Sequence, residues 1–193
     1  MNKILEVSKK FKEIDKKYFD EYGGKGYSKT YRDYTSDPNY MLNTLLEYHI
    51  APDTLLDAGC ASGELVRDLR KLGIKAYGID NNEHILKKSV APKYCTKMDL
   101  REIGKLKSDL FDIVFTNALM YVFPQELQSI LKGFHKVVKK GVWLCNPYLG
   151  DLPFEDAYRK FLGSEKWWAD QFCKAGFEKL TKNLFKKTSN LSA

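Results

Sequence analysis

This chain has no long apolar run. A membrane-spanning helix needs about 20 consecutive apolar residues, and with 30% of 193 positions charged, every apolar stretch here is soon interrupted. Histidine is scarce, and the four cysteines, Cys60, Cys95, Cys145 and Cys173, are far apart. No Cys-x-x-Cys or His-x-x-x-His spacing occurs, so no metal site is expected, and the cysteines read as reduced packing residues. Residues 1–17 are charged throughout and lack the apolar centre of a secretory leader, which makes the cytoplasm the expected compartment. The chain carries no internal repeat, linker or low-complexity tract. It therefore reads as one domain, 1–193, with an N-terminal helical lid segment (1–52) and a core (53–193). The glycine-rich loop Tyr22-Gly23-Gly24-Lys25-Gly26-Tyr27 lacks the Gly-Lys-Ser/Thr ending of a phosphate loop, and no strand precedes it, so a mobile lid is expected instead.

What is present begins with charge. The net charge of +7 favours anionic partners in general. Lysine far outnumbers arginine, however, and arginine is the usual choice for phosphate and base contacts, so nucleic acid is not the favoured partner. Ile4, Val7, Phe11, Ile14 and Tyr18 fall three and four apart and predict an amphipathic helix. Asp37-Pro38 opens another, with Met41, Leu42, Leu45 and Leu46 on its apolar face.

From Asp53 onward, strands and helices alternate. Strands are expected at 54–57, 75–79, 94–97, 111–116 and 142–145. Helices are expected at 64–72, with Leu65, Val66, Leu69 and Leu72 inward, around Ile85, Leu86 and Val90, from Pro124 to Val138, and at 165–175. The piece 100–106 is weakly helical, and the tail from Phe177 leaves room for a hairpin. Alternation of this kind predicts an α/β fold with a doubly wound, mostly parallel sheet and helices on both faces. Ligands of such folds lie at the carboxyl ends of the strands.

Thr54 to Gly63, Thr-Leu-Leu-Asp-Ala-Gly-Cys-Ala-Ser-Gly, is such a strand end. An apolar run meets an acid, then a loop of small residues through which a ligand can approach the backbone, then a helix N-terminus. Asp80 ends the next apolar run, where an acid typically grips ribose hydroxyls. Leu56-Asp57-Ala58-Gly59-Cys60-Ala61-Ser62-Gly63 resembles the first motif of class I methyltransferases that use S-adenosylmethionine, and Gly78-Ile79-Asp80 resembles the second. Lys97-Met98-Asp99-Leu100 is similar to the third, and Phe111 to Asn117 through Tyr121-Val122 to the fourth strand and its loop. The likeness covers 53–148 in order. It departs at Ala61, where many members carry glycine.

The resemblance implies the seven-strand methyltransferase sheet with an N-terminal helical lid. It implies S-adenosylmethionine as cofactor, held by Asp57, Gly59, Cys60, Ala61 and Gly63 at the methionine end, by Asp80 at the ribose, and by Asp99 at the adenine amino group. Asn81, Met98 and Leu100 are expected beside the ring and Asn117 near the methionine moiety. Tyr27 and Tyr31 of the lid are expected over the cofactor, and Tyr121 is the one catalytic candidate, positioned to orient the acceptor. Taken singly, each acid could equally be a solvated loop carboxylate or a helix cap.

Electrostatics separates this cofactor from a dinucleotide. Counting from Gly59, the third and sixth places of the Gly-x-Gly-x-x-Gly fingerprint are Ala61 and Glu64. Asp57 and Glu64 would repel a pyrophosphate but suit a cationic sulfonium and an amino group. His49, His84 and His135 lie in helical contexts and read as structural, and Trp167 and Trp168 as core. The insertion 146–164 could face an acceptor. Its Asn146-Pro147-Tyr148 is only superficially like the motif of enzymes that methylate DNA bases. The leading expectation is a methyltransferase for a small-molecule acceptor, with no membrane partner. The alternatives are an RNA or protein methyltransferase that uses the basic surface, and a catalytically silent S-adenosylmethionine-binding domain. Acceptor identity, the methylated atom and oligomeric state stay open at the level of sequence.

Overall fold

The structure, a computed structural model, describes residues 4–6, 18–19, 38–145 and 158–189. Seven strands form one mostly parallel sheet in the order β4-β3-β2-β5-β6-β9-β8, the architecture expected from the alternation. The chain divides into two compact units, one built from residues 13–100 and the other from 1–12 with 101–193.

The 13–100 unit starts with α1 (Pro38–Glu47), which opens on its proline and buries Met41 and Leu45. Leu46, expected on the same face, is exposed, because it sits one residue beyond the buried ridge. Then follow β2 (Thr54–Ala58), α2 (Glu64–Lys71), β3 (Lys75–Asp80), the short α3 (Glu83–Leu86) and β4 (Cys95–Lys97). β2 and β4 flank β3, both parallel to it. Leu65, Val66 and Leu69 bury the inner face of α2. Leu72 caps its end and is exposed, so it does not share that face. Gly73 turns the chain out of α2 at φ 87, the left-handed angle a helix-ending glycine supplies. α3 ends at Leu86, and Val90, expected on its inner face, is exposed beyond it.

The second unit holds β5 (Phe111–Thr116), buried at every position, and α4 (Pro124–Val137), which leads directly into β6 (Val138–Leu144). α4 starts with proline at its first turn, and the Phe123 N–H donates to the Glu126 carboxylate at 3.1 Å. Leu127, Ile130, Leu131, Phe134 and Val137 form its buried stripe. β6 is parallel to β5 and antiparallel to β9 (Leu184–Lys187), which pairs back onto β8 (Phe177–Lys179) as the expected hairpin. The strand reaches further back than its expected start at Val142. Gly141 lies inside it, facing β9, where a Cβ would come 2.4 Å from the Phe185 carbonyl oxygen. α5 (Glu165–Lys174) is capped by Ser164 and buries Trp168 and Phe172. The Phe172 ring stacks on Phe185 at 4.0 Å between centroids, and both Trp168 and Phe185 are fully buried. This aromatic core dominates the apolar burial of the unit.

The N-terminal expectation needs one correction. Ile4–Glu6 is a strand, β1, antiparallel to β7 (Phe161–Gly163), not the first turn of a helix. A partner strand overrides helical spacing in so short a segment. Tyr18 and Phe19 are helical and buried. The lid tyrosines Tyr27 and Tyr31, Asp37 and the segment Asn146-Pro147-Tyr148 lie outside the described residues. Among the described residues no helix is long and apolar enough to cross a membrane.

Candidate active site

The loop between β2 and α2 is folded by its own sequence. Gly59, Ala61 and Gly63 all have positive φ, at 95, 47 and 78 degrees. Alternate residues in left-handed geometry curl the chain so that successive N–H groups point inward. The Gly59 and Cys60 N–H groups both donate to the Ile79 carbonyl, at 2.8 and 3.0 Å, and Gly63 closes a turn onto the Cys60 carbonyl at 2.8 Å. Ala61 is the one position in this series where the chain carries a Cβ, and its conformation explains why glycine is common there.

Asp80 holds the loop in place. Its Oδ2 accepts from the Ala61 N–H at 2.9 Å and its Oδ1 from the Asn82 N–H at 2.8 Å. The Met98 N–H donates to the Asp80 carbonyl at 3.0 Å, which draws the turn after β4 to the same point. Burial pushes the Asp80 carboxyl up, and backbone donors from Asn82, Ala61 and Asn81 pull the other way. These backbone contacts leave part of the carboxylate's acceptor capacity open.

Asp57 is the anomaly of the site. It is 1% exposed, and neither carboxylate oxygen has a hydrogen-bond partner. A buried carboxylate without donors is costly. Burial first, then the neighbouring Cys95, Asp80 and Glu64, pushes its carboxyl well above the usual carboxylate range. Glu64 at the start of α2 is buried too, and accepts from the Ser62 hydroxyl. Three carboxylates thus share one small region with no cation among them as causes of these shifts.

The structure therefore brings Asp57, Gly59, Cys60, Ala61, Gly63, Asp80 and Met98 into one hydrogen-bonded neighbourhood. Asn81 is exposed beside it, and Asp99 and Leu100 follow Met98, both half-buried. Asn117 and Tyr121 belong to the other unit, Asn117 directly after β5 and Tyr121 closing a 3₁₀ turn, Leu119–Tyr121, each half-buried. Sequence reasoning missed Ser62, which orients Glu64, and Cys95, which lies against Gly63: a Cβ on Gly63 would come 2.7 Å from the Cys95 Sγ. The unusual density of small residues was the only signal for that contact.

Residues 56–146 match a family model described as a methyltransferase domain. The seven-stranded fold that carries this match is shared with S-adenosylmethionine-dependent methyltransferases of known structure. No curated protein matches the chain by sequence. Solved structures do resemble it. A magnesium protoporphyrin IX methyltransferase from Synechocystis PCC 6803, with bound S-adenosylhomocysteine, is 14% identical at a TM-score of 0.62, covering 89% of this chain and 97% of that one. The 1,6-didemethyltoxoflavin-N1-methyltransferase of Burkholderia thailandensis is 16% identical at 0.60, covering 84% and 86%. A Galdieria sulphuraria protein assigned as a sarcosine dimethylglycine methyltransferase is 14% identical at 0.62, with 74% of this chain covered. The chain spans 62% of that protein's length. At such identities the likeness is one of fold.

Proposed function

We propose that this protein transfers a methyl group from S-adenosylmethionine to a small-molecule acceptor by in-line displacement at carbon. The observation that carries the reading is Asp57: a buried carboxylate with no donor, beside two further acids, at the strand end that feeds a loop of small residues. The residues fit the cofactor. Asp57 and Glu64 face its cationic part, and the loop Gly59, Cys60, Ala61 and Gly63 lies along the methionine end. The remaining acceptor capacity of Asp80 takes the ribose hydroxyls. Asp99 accepts from the adenine amino group, with Asn81, Met98 and Leu100 beside the ring. Bound there, S-adenosylmethionine supplies a methyl group already activated on a positively charged sulfur.

The chemistry then asks little more than position and exclusion of water. A base is required only for an acceptor that arrives protonated. Tyr121 is proposed to orient the acceptor, Asn117 to border the methionine moiety, and Tyr27 and Tyr31 to cover it. For these four the support is the family resemblance alone. Gathered at strand ends, the residues act as parts of a single domain, 1–193.

A small acceptor is supported by two of the structural neighbours, named for toxoflavin-precursor and protoporphyrin methylation. The alternative of a basic docking surface for RNA or protein would draw on the C-terminal lysines, and two of these are matched: Lys179 pairs with Glu165 and Lys187 with Asp109. All four cysteines are unbonded, which suits the reducing cytoplasm. The test is methyl transfer from isotopically labelled S-adenosylmethionine to fractionated metabolites, RNA and protein in parallel. Label in the metabolite fraction, lost with Asp80→Ala, is expected. Label in RNA or protein alone would overturn the small-acceptor reading, and label in none of the fractions would favour a silent binding domain.

A further inference from the structure

We propose that Cys60 and Cys95 are a redox-modification site: peroxide converts the two thiols to a Cys60–Cys95 disulfide that reshapes the cofactor loop and weakens cofactor binding, the second half resting on the function proposed above.

Two glycines bring the sulfurs together. Gly78 and Cys95 are register partners on β3 and β4. A Cβ on Gly78 would come 2.7 Å from the Cys60 Sγ, so the Cys60 side chain fills the notch that this glycine leaves. A Cβ on Gly63 would come 2.7 Å from the Cys95 Sγ and 3.1 Å from the Ser89 Oγ. Cys60 leans over β3 towards β4, and the loop passes directly over Cys95. The two thiols interact electrostatically, each shifting the other's titration.

Their surroundings divide the chemical roles. The neighbouring Cys60 thiol first, and the Ser89 hydroxyl after it, bring the Cys95 pKa down to about 7, against burial and the repulsion of Glu64 and Asp80. The Cys60 thiol is pushed far up, first by Cys95, then by burial and by Asp57. Cys95 is half-buried and retains solvent access, whereas Cys60 is fully buried. Cys95 is therefore the thiolate that meets the oxidant, and Cys60 the thiol that resolves the product.

The Cys95 thiolate attacks one oxygen of hydrogen peroxide. The O–O bond breaks, hydroxide leaves and takes up a proton as water, and Cys95 becomes a sulfenic acid. The Cys60 sulfur then attacks the Cys95 sulfur. The S–O bond breaks, the hydroxyl leaves with the Cys60 proton as a second water, and the S–S bond forms. The thiols lose two electrons and the peroxide gains them; a dithiol reductant reverses the change. Bond formation draws Cys60 towards β4. Its neighbours in the chain are Gly59 and Ala61, so the Ala61 contact to Asp80 is displaced with it.

The full-length protein, treated with stoichiometric hydrogen peroxide, alkylated and digested, is mapped by mass spectrometry. A cross-linked Cys60–Cys95 peptide two hydrogens lighter is expected, restored by dithiothreitol and absent in Cys95→Ser. In Cys60→Ser, dimedone should trap a sulfenic acid at Cys95. Free alkylation of both residues, or a cross-link to Cys145 or Cys173 instead, overturns the proposal using the unmodified sequence alone. Calorimetry with S-adenosylhomocysteine then tests the coupling. The oxidised protein should bind about tenfold more weakly, recover on reduction, and show no such loss in Cys95→Ser. Unchanged affinity in the mapped disulfide form would overturn the coupling. Absence of binding by the reduced protein would instead count against the proposed function and leave the mapped disulfide standing.

Discussion

The backbone N–H of Ala61 donates to the carboxylate of Asp80 at 2.9 Å, tying the loop after β2 to the end of β3. One acid thus fixes this loop and keeps acceptor capacity for a ligand. Loss of Asp80 should therefore damage the loop and the ligand contact together.

Asp57 gives the opposite trade. In the ligand-free protein its carboxyl sits well above the ordinary range, chiefly through burial. A carboxyl whose folded pKa is raised binds more protons folded than unfolded, so stability falls as pH rises from the ordinary carboxylate value up through the folded one. Asp57→Asn removes that penalty. Denaturant unfolding of the ligand-free variant at neutral pH should show a gain of about 1–3 kcal/mol, shrinking at acid pH, while affinity for S-adenosylmethionine drops. A neutral-pH loss of stability would contradict the description of Asp57 as an unpartnered buried charge.

Ala61 and Gly63 should respond oppositely to changes at the same atom. Ala61 adopts φ 47, where a Cβ is unfavourable. Ala61→Gly is expected to leave stability unchanged or raise it by about 0.5–1 kcal/mol. Gly63→Ala meets both a φ of 78 and the Cys95 sulfur, and should cost about 2–3 kcal/mol. Thermal unfolding of the two variants checks the sign.

Gly141 tests the central strand order. A Cβ there would be pressed against the Phe185 carbonyl at 2.4 Å, so Gly141→Ala should force β6 and β9 apart and destabilise by about 2–3 kcal/mol. Hydrogen exchange should show the loss of protection at Val142 and Phe185, which are register partners. A neutral substitution would mean that the two strands do not pair in this register.

Much of the arrangement was legible because apolar runs ended in acids and small residues. Asp57 and Asp80 stand at the ends of β2 and β3 as their sequence contexts require. What was not legible depends on partners distant in the chain. Ile4 spaced with Val7 and Phe11 looks helical, and only Phe161–Gly163 makes it a strand. Gly141 reads as preceding a strand that starts at Val142, and only the approach of β9 reveals that it lies inside the strand and why a side chain is excluded. Cys95 carried no motif, since its meeting with Cys60 takes place across β3. The lack of a hydrogen-bond partner at Asp57 could not be read either, because a missing hydrogen bond leaves no trace in sequence.

The most direct test of the central claim is calorimetric titration of the full-length protein with S-adenosylhomocysteine, wild type against Asp80→Ala. Saturable one-site binding by the wild type is predicted, weakened by about 10- to 100-fold in the variant, as expected for lost hydrogen bonds to a charged group. No binding by the wild type, or equal binding by a folded Asp80→Ala, would contradict it.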